Sequence, residues 1–221
     1  MQQPVPFILA EQQLWLSEQR CIFWETHKAL IVSDIHFGKT GHFRKSGIAI
    51  PQAVFKEDLQ RLVDCISFFK AEQLIVVGDL FHSIANKELD LFVKWRNDLS
   101  HLHIHLIKGN HDILKDEWYA SAGIQITEHR LQMADFCFVH SIEEINLEEE
   151  QNNFFFSGHI HPGISIKGNS KQTLRFPCFY FTKQYAVLPA FSRFTGLAAI
   201  KPKKNEKVFA IVNENVMSLN D

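Results

Sequence analysis

Three apolar runs in the first half of this chain leave few folds open. ALIVS (29–33), QLIVVGD (73–79) and IHLIKGN (104–110) are too continuous to be strands with one wet face. Runs of this kind belong to strands buried on both sides. Between the first two, Phe55, Leu59, Leu62, Ile66 and Phe69 recur at steps of four, three, four and three, which is one face of an amphipathic helix. Pro51 stands at its start, where a missing N–H costs least. A second helix is predicted over about 86–98, with Leu89, Phe92, Val93 and Trp95 apolar. Strand, helix, strand, helix, strand predicts an α/β fold with a parallel sheet and crossover helices.

Upstream, QLWL (13–16) and CIFW (21–24) read as a hairpin closed across Ser17–Arg20. Residues 38–51, GKTGHFRKSGIAIP, are rich in glycine and bases and read as a loop. The second half is different. GIQIT, LQMADFCFVHS, NNFFFSGHIHPG, TLRFPCFYF, YAVLPAF and KVFAIVN read as strands and turns with little helix, and the acidic stretch EEINLEEEQNN (143–153) as a solvated helix or loop. No repeat or low-complexity linker divides the chain, so residues 1–221 are expected to form one domain with two sheets.

With 46% hydrophobic residues the chain has the material for a core. Its net charge of −2 advertises no strong nonspecific nucleic-acid binding, although an active-site rim can be locally basic. Cys21, Cys65, Cys137 and Cys178 form no CxxC and read as small core residues in a reducing compartment. MQQPVPFILAEQQ has neither a basic n-region nor a long apolar stretch, and no apolar run approaches the roughly 20 residues that span a bilayer. The expectation is a cytoplasmic protein without a membrane partner.

The chemistry gathers where the apolar strands end. LIVSDIH ends in Asp34 and His36, and LIVVGDLFH in Asp79 with His82 beyond. LIKGNHD ends in Asn110, His111 and Asp112, FCFVHS in His140, and FFFSGHIH in His159 and His161. In α/β sheets ligands sit outside the carboxyl ends of the strands. Two Asp, one Asn and four His are too many for one ion and suit two metals that share a carboxylate. A mixed O/N set without thiolate suits Mn, Fe or Zn. Two metals about 3.5–4 Å apart can activate a water and hold both the attacking and leaving oxygens of an in-line displacement at phosphorus.

D-x-H, then GD, GNHD, a lone His and GHxH, in this order from Asp34 to His161, resemble the signature of the calcineurin-like metallophosphoesterases. HFGKTGHFRKSGIAIP, GDLFHS and LPAFSRFTG further resemble the bacterial DNA ligase-associated metallophosphoesterases, DNA-damage-response endonucleases. The resemblance implies a four-layer αββα sandwich. It implies that Asp34, His36 and His161 bind one metal, that Asn110, His140 and His159 bind the other, and that Asp79 bridges. The metals would be Mn, with Fe, Zn or Mg as alternatives, and a metal-held hydroxide would attack in line. His111 would protonate the leaving oxygen or stabilise phosphoryl charge, oriented by Asp112. It implies a phosphodiesterase acting on DNA, single-stranded or at processed ends, in repair alongside an ATP-dependent ligase and a helicase.

One departure stands out. Many phosphatases of the group carry an acidic residue and an arginine shortly after GD, whereas His82 and Ser83 follow here. Phosphomonoester recognition of that type is then not expected, and His82 either touches substrate or packs. Lys39, His42, Arg44 and Lys45 directly follow the first ligands, so they are candidates to bind flanking phosphates, a plain basic loop being the alternative. His101, His103 and His105 alternate in HLHIH and read as the polar face entering a strand. Two rivals remain at this point: a phosphodiesterase or phosphatase acting on a small nucleotide or nucleotide-linked substrate, and a non-catalytic scaffold.

Overall fold

The structure, a computed structural model, describes residues 1–38, 53–82, 87–168 and 172–219. The first sheet runs in the order β1 (Val5–Leu9), β2 (Gln12–Ser17), β3 (Cys21–Trp24), β4 (Ala29–Val32), β5 (Gln73–Val77), β6 (His103–Ile107) and β7 (Ile124–Thr127). The first three pairings are antiparallel, and β4 to β7 are parallel. The crossovers carry α1 (Ala53–Phe69), α2 (Lys87–Asp98) and α3 (Asp116–Ser121), so the alternation read from the apolar runs is the topology observed.

The second sheet contains β8 (Arg130–Met133), β9 (Phe136–Val139), β10 (Phe154–Ser157), β11 (Pro162–Lys167), β12 (Thr173–Phe181), β13 (Tyr185–Val187) and β14 (Ala198–Ala199). They lie side by side in the order β14-β11-β12-β13-β10-β9-β8, with β15 (Lys207–Val212) on β12 and β16 (Asn215–Ser218) on β15. β9, β10 and β13 are parallel neighbours, so β9 and β10 end at the same edge.

Alternation along the central strands divides the core. Leu30, Val32, Leu74, Val76, Ile104 and Leu106 pack under the helices against Leu62, Ile66, Phe92, Trp95 and Tyr119. Ile31, Ile75, Val77 and Ile107 face the second sheet and its Phe136, Phe138, Phe156, Phe179 and Phe209. Residues i and i+2 share a face of a strand, so a run that is apolar throughout serves both layers. Phenylalanine fills the gap between the sheets: Phe136 and Phe138 meet Phe156 at ring separations of 5.0 and 5.5 Å. Each such ring contributes about 2–3 kcal/mol by burial. The four cysteines are free and buried, as their scatter predicts.

The fourth layer is thinner than the αββα expectation. Among the described residues, the outer face of β9 and β10 is covered by an irregular segment with one 3-10 turn, Ile142–Glu144. Ile142, Ile145 and Leu147 of this segment pack on Cys137, Val139 and Phe155. Ile142 and Ile145, three apart, suit a 3-10 turn, and Glu144 and Glu148, four apart, would repel along a longer helix. None of the helices described is long and apolar enough to cross a membrane.

Candidate metal centre

The carboxyl ends of β4, β5, β6, β9 and β10 meet at one edge of the sandwich. There the chain turns sharply. Asp34, His36, Asp79, His159 and His161 all adopt positive φ, at 52°, 53°, 54°, 71° and 49°. The left-handed region costs an ordinary L residue about 1–2 kcal/mol, and Asp and His tolerate it better than most. Backbone bonds between neighbouring strand ends hold these turns. Asp34 N–H donates to the Gly78 carbonyl at 3.1 Å, and His36 N–H to that of Asp79 at 2.8 Å. His159 N–H donates to both Asp34 carboxylate oxygens, at 3.1 and 3.2 Å, and so ties the second sheet to the first.

The glycines before these turns make room. A Cβ on Gly78 (φ 79°) would lie 1.9 Å from His140 Nδ1, and one on Gly158 would lie 2.5 Å from Asp34 Oδ2. The GD and GH pairs therefore have a packing cause: each glycine clears the side chain that a neighbouring strand sends into the centre.

The donor atoms converge. Asp34, His36 and His161 form one group and Asp34, Asp79 and His140 another, with the ligand atoms of each group within 4.8 Å of one another. His161 Nε2 is 3.3 Å from Asp34 Oδ1. Asp79 Oδ2 stands between two imidazoles, 3.9 Å from His36 Nε2 and 3.7 Å from His140 Nε2. Asn110 Oδ1 and His159 Nδ1 each lie 3.1 Å from His140 Nε2. All seven residues expected as ligands are thus at one place. Carboxylate, amide oxygen and imidazole donors, with no thiolate, fit divalent ions of the Mn, Fe, Zn class.

Three further residues complete the cluster. His111 presents its ring 5.4 Å from that of His36, and its N–H donates to Asp79 Oδ1 at 2.9 Å. Asp112 is buried, and its carboxylate accepts from Phe81 N–H and Gly109 N–H, both at 3.0 Å. It therefore fixes the turn that carries His111 through the backbone. Burial lifts its carboxyl to about 7 in spite of these bonds. Burial also raises the Asp79 carboxyl, against the opposing pull of His140. His82 lies with its ring 4.3 Å from that of His111. Lys39, Arg44 and Lys45 lie outside the described residues, as does His42. His101 and His103 are exposed on β6 and its approach while Leu102, Ile104 and Leu106 are buried, the pattern expected of a strand's polar face.

Sequence reasoning missed what holds the first ligand strand in place. Ser33 pairs with Ala190, Phe191 N–H donates to the Ser33 carbonyl at 2.8 Å, and Ser192 N–H to that of Asp34 at 3.3 Å. This segment is clamped by two arginines. Arg20 Nη1 donates to the carbonyls of Ala190 (3.2 Å) and Ser192 (2.7 Å). Arg61 bonds the Phe191 carbonyl, lies 4.0 Å over the Phe191 ring, and pairs with Asp58 at 2.7 Å. Burial raises the Asp58 carboxyl and lowers Arg61, and the charge of each partner opposes the shift of the other. Arg61→Ala leaves a buried carboxylate unpaired and is expected to cost about 3–5 kcal/mol in urea unfolding. A loss below about 1 kcal/mol, the range of an exposed pair, would remove the pair from the support of this segment.

Comparison with known proteins adds the following. The family model of the calcineurin-like phosphoesterases matches residues 27–161. No curated protein matches the chain. The crystal structure of the nuclease MPE from Pseudomonas putida is similar at a TM-score of 0.82 and 29% identity, over 98% of this chain and 100% of that one. Yfce, a phosphoesterase from E. coli, is similar at a TM-score of 0.43 and 14% identity, over 86% and 96% of the two chains.

Proposed function

This chain belongs to the calcineurin-like phosphoesterase family, and from that premise we propose that it is a phosphodiesterase that cleaves DNA in repair. It is a metal-dependent phosphoesterase. The observation that carries the finer reading is the strand-end cluster, in which seven O and N donors face one another with His111 alongside. In this reading Asp34, His36 and His161 hold one divalent ion, Asn110, His140 and His159 hold another, and Asp79, between His36 and His140, serves both. Such a pair, when bound, lowers the pKa of water and clamps the oxygens of an in-line displacement at phosphorus.

The chain's own groups do the rest. His111 is anchored by its main chain, so its imidazole is free to donate to the leaving oxygen or to the phosphoryl group. Asp112 keeps that turn rigid. His82, where many phosphatases carry an acid and an arginine, supplies no permanent second cation for a dianionic monoester. That favours a diester. The resemblance to a nuclease over the whole chain supports a nucleic-acid substrate. The motifs GDLFHS and LPAFSRFTG support the DNA ligase-associated subfamily, and with it a functional association with an ATP-dependent ligase and a helicase.

The test is hydrolysis of bis(p-nitrophenyl) phosphate beside p-nitrophenyl phosphate, on protein stripped of metal and reloaded with Mn, Fe, Zn or Mg, followed by single-stranded DNA beside a cyclic nucleotide. Diester hydrolysis should exceed monoester hydrolysis, Mn should serve best, and DNA should be cut. Faster monoester hydrolysis, or cleavage of the cyclic nucleotide with intact DNA, would replace this reading with a small-substrate enzyme.

A further inference from the structure

The segment clamped by Arg20 and Arg61 continues across the rim of the centre. It leaves the Asp34 carbonyl at Ser192 and next bonds the sandwich at Ala198, whose N–H donates to the His161 carbonyl at 3.0 Å. Asp34 and His161 are ligand candidates in the same group. Residues 193–197 therefore span the edge of that group, with both attachment points on ligand residues. The loop is held from within and below: Phe194 N–H donates to Ser192 Oγ at 3.2 Å, Thr195 Oγ1 to the Ser192 carbonyl at 3.4 Å, and Arg175 Nη1 to the Leu197 carbonyl at 3.0 Å. At its start Arg193 and Phe194 are exposed. Phe194 is 45% exposed, and Arg193, also exposed, reaches only Gln19 Oε1 at 3.5 Å among the bonds described.

We propose that Phe194 and Arg193 form a strand-holding edge of the metal centre, the ring stacking an unpaired base and the guanidinium taking a neighbouring phosphate of a single-stranded nucleic acid. The inference rests on the phosphodiesterase reading above and adds to it the residues that grip the polymer. A lone exposed apolar side chain needs no explanation by itself. Here the ring is carried by a loop pinned by five backbone and side-chain bonds, which lowers the ordering cost of binding. Phe194 also has a cation beside it, and aromatic rings interleaved with basic groups are how single strands are held without sequence preference. The local charge agrees: Arg20 feels the guanidiniums of Arg61 and Arg193 against one carboxylate, Asp58. In a chain of net charge −2, that edge is a place where positive charge gathers beside the donors of the centre.

The experiment compares wild type, F194A, F194Y and R193A, loaded with the same metal. It measures kcat/KM on a single-stranded oligonucleotide and on bis(p-nitrophenyl) phosphate, with melting temperature as the check on folding. Stacking of a base on an aromatic ring changes affinity by about five- to a hundredfold. The ratio of DNA to small-diester efficiency should fall about tenfold in F194A and return in F194Y. R193A should reduce the slope of log KM against log salt by about 0.7, the value of one phosphate contact on a single strand. If F194A melts early, F194W gives an independent reading: its emission should be quenched by the oligonucleotide, and unchanged emission overturns the stacking role. A wild type that cuts DNA while F194A keeps the wild-type ratio overturns the inference alone. A wild type that hydrolyses the small diester and leaves DNA intact overturns the nucleic-acid reading and the inference together.

Discussion

Asp79→Ala should lose both bound metal and turnover, the latter by more than about 10³-fold, the equivalent of several kcal/mol of transition-state stabilisation. The carboxylate is 2% exposed and stands between His36 and His140, so no other side chain can take its place without moving a strand end. Its second oxygen accepts the His111 N–H, so truncation also unties the turn bearing His111. The measurements are the metal-to-protein ratio after gel filtration and the rate of diester hydrolysis. Melting temperature supplies a third: saturating metal stabilises a protein that binds it by about 2.7 kcal/mol at a hundred times the dissociation constant, and the variant should show no such rise. The metal-free variant need not be weaker than metal-free wild type, because removing Asp79 also removes a buried carboxylate that Asp34 disfavours. A variant that still retains two ions would contradict the bridging position.

The centre was legible in the sequence for a local reason. Each of its residues follows an apolar run within a few positions, and the parallel order of β4, β5 and β6 then brings the run ends together. The glycines were legible as parts of motifs but not as causes. That Gly78 must lack a Cβ because His140 lies there depends on a contact between residues in different sheets. Nor could the positive φ at Asp34, His36, Asp79, His159 and His161 be read from residue type, since Asp and His tolerate that region better than most yet adopt negative φ at most positions.

What escaped was non-local or weakly patterned. Asp58 and Arg61 sit on α1 three residues apart, a spacing that carries no signal of its own, and the carbonyl that Arg61 binds belongs to Phe191, 130 positions away. Strand β1 escaped because its pattern is faint: only Phe7 is buried, against Phe181 and Phe209, while Ile8 is exposed and Pro6 marks an edge strand. The same non-local logic applies to charge. A net charge of −2 spoke against nonspecific nucleic-acid binding, yet Arg20, Arg61 and Arg193, far apart in sequence, gather beside the centre.

His111→Ala should keep its metals and lose about 10²–10⁴-fold in turnover, the usual worth of a positioned proton donor. The two outcomes separate because the two halves of the residue do different things. The main-chain N–H holds Asp79 at 2.9 Å, and alanine retains it; Asp112 continues to pin the turn through Gly109 and Phe81. Only the imidazole beside His36 and His82 is removed. Metal content equal to wild type with a large fall in kcat is therefore expected, and wild-type rates would take His111 out of the mechanism. The leaving group then distinguishes its two candidate roles. If the imidazole protonates the departing oxygen, the loss is larger for DNA, whose alkoxide leaves poorly, than for bis(p-nitrophenyl) phosphate, whose phenolate needs no proton. If it stabilises charge on the phosphoryl oxygens, both substrates lose the same factor, because that charge develops in both displacements.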